Sequence, residues 1–276
     1  MRFIRKFGTS SLAAYTIIFF AFIYLPIALI VIYSFNSDPV NMMRWSGFTV
    51  DWYRQIFGLR NASSEAALYI ESTDQLLAAV RNSLIVAAST TTIATVLGTA
   101  TALGIYRFSF FGKRFYRVLL FVPMLMPDIV LGIALLIFFV GIGISLGIGT
   151  IIIGQCTFLI SYVFIVVSAR LAGMDRTLEN ASADLGADEW TTFRRIILPQ
   201  VMPGVAGGAL LAFIISMDDL VITYFISGTS TQTLPVFIFG LLRRGITPEV
   251  TAIAAQLLPF PFPVASRGLS LRTPTR

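Results

Sequence analysis

The chain has no histidine and one cysteine in 276 residues. The usual zinc ligand sets are therefore missing, an intrachain disulfide is impossible, and no catalytic constellation is visible. The lone cysteine, Cys156, sits inside an apolar run, where packing accounts for it better than redox chemistry. A nucleotide-cradling loop is absent too: Gly112-Lys113-Arg114 is a basic turn with no glycine at the spacing a P-loop needs. If ATP drives this protein, another chain hydrolyses it. Charge is also scarce, at 12% of residues. The net charge of +6 therefore reads as a set of topology signals, and no nucleic-acid surface is expected.

What the chain has instead is apolar length: 56% of residues are hydrophobic. Five runs are long enough to cross a bilayer as helices: Leu12–Phe35, Leu76–Tyr106, Val118–Val140, Thr150–Ser168 and Val201–Ile222. The second is long and should extend beyond the bilayer. The first follows Arg2, Arg5 and Lys6 but exceeds a cleavable signal segment, and Ser34-Phe35-Asn36 is a poor cleavage site. Bases without acids cluster before the first run and again at Arg107, Lys113, Arg114 and Arg117. By the positive-inside rule these segments, the N-terminus and the polar stretch before the fifth run face the cytoplasm. The expected fold is all-α, a polytopic transmembrane helical bundle in the lipid bilayer, with five secure spans and a disrupted sixth.

Smaller features fit that frame. Phe48 to Phe57 carries aromatics suited to a short interfacial helix, as a lipid anchor or a substrate contact. Ala94, Gly98 and Ala102, and likewise Gly204 and Gly208, form small-residue faces that permit close helix packing. Three carboxylates lie inside apolar runs: Asp128, Asp218 and Asp219. A charge there costs roughly 2.5–3.5 kcal/mol on insertion scales, which makes each a functional candidate. On straight helices Asp128 lies about 15 Å into its span and Asp218 roughly 25 Å, an acidic track suited to a cationic substrate. Asp128 could equally cap a helix restarted after Pro127. Asp218 and Asp219 are adjacent and cannot share one helix face. Tyr224 and Phe225 could offer cation–π contact or serve as interfacial belt residues.

The polar stretch from Asp175 to Phe193 favours two short helices broken at Gly186-Ala187, with Asp188-Glu189 opening the second. Its pattern, Asn180-Ala181-Ser182, then Gly186, then Ile196 and Leu198-Pro199, resembles the signature cytoplasmic loop of ABC importer permeases. The resemblance implies a loop, about 175–199, that docks on an ATPase through Glu179, Asn180, Ala181, Ala183, Gly186 and Ala187. Asn180 stands where that family has a glutamate, so coupling is expected to be reduced. Glu179, one residue earlier, points roughly 100° away.

A narrower resemblance, to the spermidine/putrescine branch, rests on Ser216-Met217-Asp218-Asp219, Pro127-Asp128, Asn82-Ser83-Leu84, Leu234-Pro235 and Tyr24-Leu25-Pro26. It implies a permease subunit that imports polyamines by alternating access in a bacterial inner membrane. It binds no cofactor directly, and ATP is used by partner subunits. The implied partners are a second permease subunit, an ATP-binding cassette ATPase dimer and a periplasmic polyamine-binding protein. The substrate pathway would include Asp128, Asp218, Asp219, Tyr224 and Phe225. Residues 1–258 read as one permease domain. Residues 259–276 begin with Pro259, Pro261 and Pro263 and cannot form a normal span, which fits either a reading frame lost near Leu258 or a natural variant capped by a partner. Alternatives are a permease for another solute such as iron or an inorganic anion, an ion-coupled secondary transporter, and an impaired non-transporting copy.

Overall fold

The computed structural model describes residues 2–38, 44–56, 66–175 and 177–244. The disrupted sixth span and the proline-rich tail lie outside the described residues. Those residues form eleven α-helices with one π-helical segment, and no strand beyond a single bridge between Asn36 and Phe48. Four helices are long and apolar enough to cross a membrane: Leu12–Tyr33, Asp74–Arg107, Ile148–Ala172 and Glu189–Asp218. The protein is an all-α polytopic membrane bundle.

The chain divides into two compact units. In the first, α1 (Arg2–Tyr33) is followed by a small folded loop and α2 (Asp51–Ile56). Asn36 holds the loop: its amide donates to the Arg44 carbonyl at 2.8 Å, and its carbonyl accepts from the N–H of Ser46 at 3.1 Å. Phe35 stacks on both Phe48 and Tyr53, each at 5.1 Å. These rings pack on one another.

In the second unit, residues 74–237, the core runs through α6 (Ile148–Ala172), flanked by α3 (Ala66–Arg107) and α9 (Leu198–Asp218). The small-residue faces predicted from sequence meet α6. A Cβ on Gly98 would lie 2.8 Å from Val163 Cβ, and one on Gly208 3.3 Å from Val163 Cγ1. The register is antiparallel: Arg170 lies against Gly204, Val163 against Gly208, and Gln155 against Ser216.

Two runs expected as unbroken helices are each interrupted. Val118–Val140 divides into α4 (Lys113–Leu125) and α5 (Asp128–Gly141), bent by 102°. Pro127 lacks the N–H a continuing helix needs and drives the preceding residue to extended geometry; Met126 has ψ 138°. Val201–Ile222 likewise ends early. α9 stops at Asp218, Asp219 is extended, and α10 (Val221–Ile226) restarts the chain before α11 (Leu234–Arg244).

Candidate functional site

The polar loop folds as two short helices, α7 (Thr177–Asp184) and α8 (Glu189–Thr192). Gly186 ends α7 at φ +77°, a left-handed conformation that glycine adopts without the Cβ clash other residues meet. The N–H of Gly186 donates to the Ala183 carbonyl and that of Ala187 to the Ser182 carbonyl, the paired bonds of a Schellman motif. Ser182 is buried, and its hydroxyl bonds that of Thr192 at 2.8 Å. This hydroxyl pair joins α7 to α8.

The loop's two carboxylates near the bundle are both engaged. Tyr106 donates to Glu179 across a long 3.5 Å, and Arg107 pairs with Glu189 at 3.2 Å. Asn180, Ala181 and Ala183 face outward, and Ala187 is half-buried. Leu185 is 89% exposed and Trp190 66% exposed, so the loop presents an apolar tip beyond its polar face. Asp175 accepts the N–H of Thr177 at 2.9 Å, and this bond with the Thr177 hydroxyl holds its carboxyl below the usual range. The Thr191 hydroxyl lowers Asp188 in the same way. From α8 the chain enters a π-helical segment, Phe193–Ile197, and continues into α9. The wider turn lies directly before Pro199, whose ring would clash with the i−4 carbonyl of a regular helix. Sequence patterning did not reveal this segment.

At the other end of α6 lie the acids. α5 runs parallel to α10: Gly132 lies against Ile222 and Phe225, while Leu135 and Ile226 both approach Gly154. Each of the three acids stands at a break in a helical run: Asp128 at the bend between α4 and α5, and Asp218 and Asp219 at the break between α9 and α10. Asp128 opens α5, but no side-chain cap bond forms there; it is exposed, as is Asp218. Neither makes a hydrogen bond or ion pair with the described residues. Tyr224 is exposed, and its ring meets Phe225 edge-on at 5.8 Å.

Asp219 differs. Its Oδ2 accepts from the Thr223 hydroxyl at 2.7 Å, the Thr223 N–H at 3.1 Å and Gln155 Nε2 at 3.0 Å. Its Oδ1 accepts from the Ile222 N–H at 3.3 Å. Gln155 is fully buried and takes the Ser216 hydroxyl on its own carbonyl. The sequence reading missed Gln155, Ser216 and Thr223, because a lone amide or hydroxyl in an apolar run carries no sign of its partner. Two distant motifs also meet: Asn82 donates to the Gln232 carbonyl at 3.1 Å, and Ser83 accepts the Leu234 N–H at 2.8 Å.

A helical bundle with an outward helix–turn–helix at one end and paired carboxylates at a helix break near the other defines a polytopic membrane protein of the transporter class. Residues 94–260 match the family described as binding-protein-dependent transport system inner membrane component. The chain is 38% identical over 245 residues to the spermidine/putrescine transport system permease protein PotC of Haemophilus influenzae, covering 89% of this chain and 90% of that protein. It is 38% identical over 246 residues to the putrescine transport system permease protein PotI of Escherichia coli K12, covering 87% and 82%. Its fold matches that of a chain from a bacterial ABC transporter involved in import of the acidic polysaccharide alginate, with a TM-score of 0.69, 15% identity, and coverage of 97% and 98%. The chain belongs to the family of binding-protein-dependent transport system inner membrane components.

Proposed function

We propose that this chain is a permease subunit of an ATP-driven importer that carries polyamines, of the spermidine/putrescine class, into the cytoplasm. The observation that carries the reading is the identity of 38% across nearly nine-tenths of the chain to a spermidine/putrescine permease. The geometry supports it. Asp128 and Asp218, both exposed, offer two carboxylates to a flexible polycation, and their charge disfavours an anion. Tyr224, exposed on α10, offers a ring for cation–π contact.

The partners follow from the family. A second permease completes the pathway, a periplasmic binding protein delivers substrate, and a separate ATPase dimer supplies the energy. α7 and α8 dock on that ATPase. The exposed Leu185 and Trp190 enter its cleft as apolar anchors, with Asn180 and Ala181 beside them. ATPase closure then moves α9 through the continuous run from Glu189 to Asp218 and switches access to the acids. The N-terminus and the loop face the cytoplasm, in keeping with the bases at Arg2, Arg5, Lys6, Arg107 and Arg117. Asn180 replaces a charge-assisted contact with a neutral one about half as strong.

The test is co-purification with the ATPase encoded beside it, then ATP-dependent uptake by the wild type and by Asp218→Asn and Asp128→Asn. The reading expects a stable complex and reduced spermidine uptake in both variants. Full spermidine uptake in both would overturn the role given to the two carboxylates, and no spermidine uptake by the wild type would favour a permease for a different solute.

A further inference from the structure

We infer that Gln155 is a positioning residue that sorts the two adjacent carboxylates, locking Asp219 into the fold and leaving Asp218 to the substrate. The inference rests on the reading above for the substrate, and on the hydrogen-bond geometry for the sorting.

Asp218 and Asp219 are chemically identical neighbours at the break between α9 and α10, and sequence alone does not distinguish them. The surroundings do. Every hydrogen bond at Asp219 has the carboxylate as acceptor. Two come from backbone N–H groups in the first turn of α10, one from the Thr223 hydroxyl and one from Gln155. The donors run in one direction. Ser216 donates to the carbonyl of Gln155, and the amide of Gln155 donates to Asp219 and, at 3.1 Å, to the Thr223 oxygen. The Thr223 hydroxyl in turn donates a hydrogen bond to Asp219. A carboxylate that accepts four donors has little lone-pair capacity left for an ammonium group.

Gln155 is the one member of this network from outside the α9–α10 segment. It comes from α6, the helix whose far end leads into the polar loop. Its amide ties the broken helix to α6 at the level of the acids. A leucine there would fill similar volume and offer no donor. Asp219 would then keep its backbone bonds but lose the bond to α6. Asp218, one residue earlier, is exposed and makes no bond to the described residues. Its carboxylate is the one the network leaves available.

The experiment uses the whole reconstituted importer with its binding protein and reads labelled spermidine taken up per ATP hydrolysed. A purely structural defect lowers uptake and ATPase together and leaves the ratio unchanged. Asp218→Asn is expected to lower the ratio about tenfold, the loss of one charge-assisted contact. Adding Gln155→Leu to Asp218→Asn is expected to raise it at least threefold, because Asp219 becomes available. Thr223→Val in the Asp218→Asn background is a second route to the same release and serves if Gln155→Leu fails to assemble. The sorting is overturned if neither release variant raises the ratio in complexes that assemble normally.

A thermal double-variant cycle of Gln155→Leu and Asp219→Asn is independent of the substrate. The inference expects the double variant to lose no more Tm than the worse single one, and additive losses would overturn it. Absence of any spermidine uptake by the wild type contradicts the polyamine reading alone, and the thermal cycle then decides the network.

Discussion

Gly98→Ala tests the close packing of α3 against α6. The added Cβ would lie 2.8 Å from Val163 Cβ and 2.9 Å from the Ile160 carbonyl oxygen. Ordinary carbon contacts sit at about 3.5–4.0 Å, so α3 and α6 must part by on the order of 0.7 Å. One of the obstructing atoms is backbone, so no side-chain rotation relieves the clash. Over-packing of this kind costs about 1–3 kcal/mol. Two other glycines set the scale. Gly208→Ala meets Val163 Cγ1 at 3.3 Å, a methyl that can give way, whereas Gly104→Ala meets nothing within 4 Å. Gly104→Ala should gain about 0.5–1 kcal/mol from reduced backbone freedom. The assay is thermal unfolding of the detergent-purified complex. The expected order of Tm is Gly104→Ala above wild type, Gly208→Ala close to it and Gly98→Ala clearly below. An unchanged Tm for Gly98→Ala, or a loss for Gly104→Ala at least as large, would refute the close α3–α6 approach.

Asn180→Glu should raise transport-linked ATPase activity in the reconstituted complex by supplying the missing charge; an unchanged rate would show that Asn180 does not limit coupling. Gly186→Ala places a Cβ at φ +77° with no steric neighbour, so its cost of about 1–2 kcal/mol is backbone strain alone. Faster amide exchange confined to α7 and α8 would report it, and an unchanged exchange pattern would contradict the left-handed turn. Asp175 and Asp188 have lowered pKa values in the fold. Their contribution is present above the unfolded carboxylate value, near 3.9, and lost as pH falls through the lower folded values. Trp190 fluorescence, read with Trp45 and Trp52 changed to Phe, should stay flat from pH 7 to about 5 and change only below about 4.

How much of this the sequence disclosed depends on the scale of the signal. Apolar run length is a sum over some twenty residues, so the spans at Leu12, Leu76 and Thr150 were legible to within a few positions. The loop was legible because Gly186 and the Asp188-Glu189 pair punctuate it. The bend at Met126-Pro127 was only half visible. Pro127 marks a restart, but hydropathy continues through it and carries no angle, so one straight helix was expected where two meet at 102°. The break at Asp219 was hidden for the same reason, because Leu220 and Val221 keep the run apolar. Gln155 was invisible: its meaning lies in residues 61 to 68 positions away. The link from Ser182 to Thr192 was hidden likewise, because its two hydroxyls lie on separate helices.

The most direct test of the central claim is accumulation of labelled spermidine in vesicles holding this chain with its second permease, ATPase and binding protein, and with the proton gradient collapsed. The account predicts uptake that requires ATP and the binding protein and survives loss of the gradient. Uptake that persists without ATP and vanishes with the gradient, or no polyamine uptake at all, would contradict it.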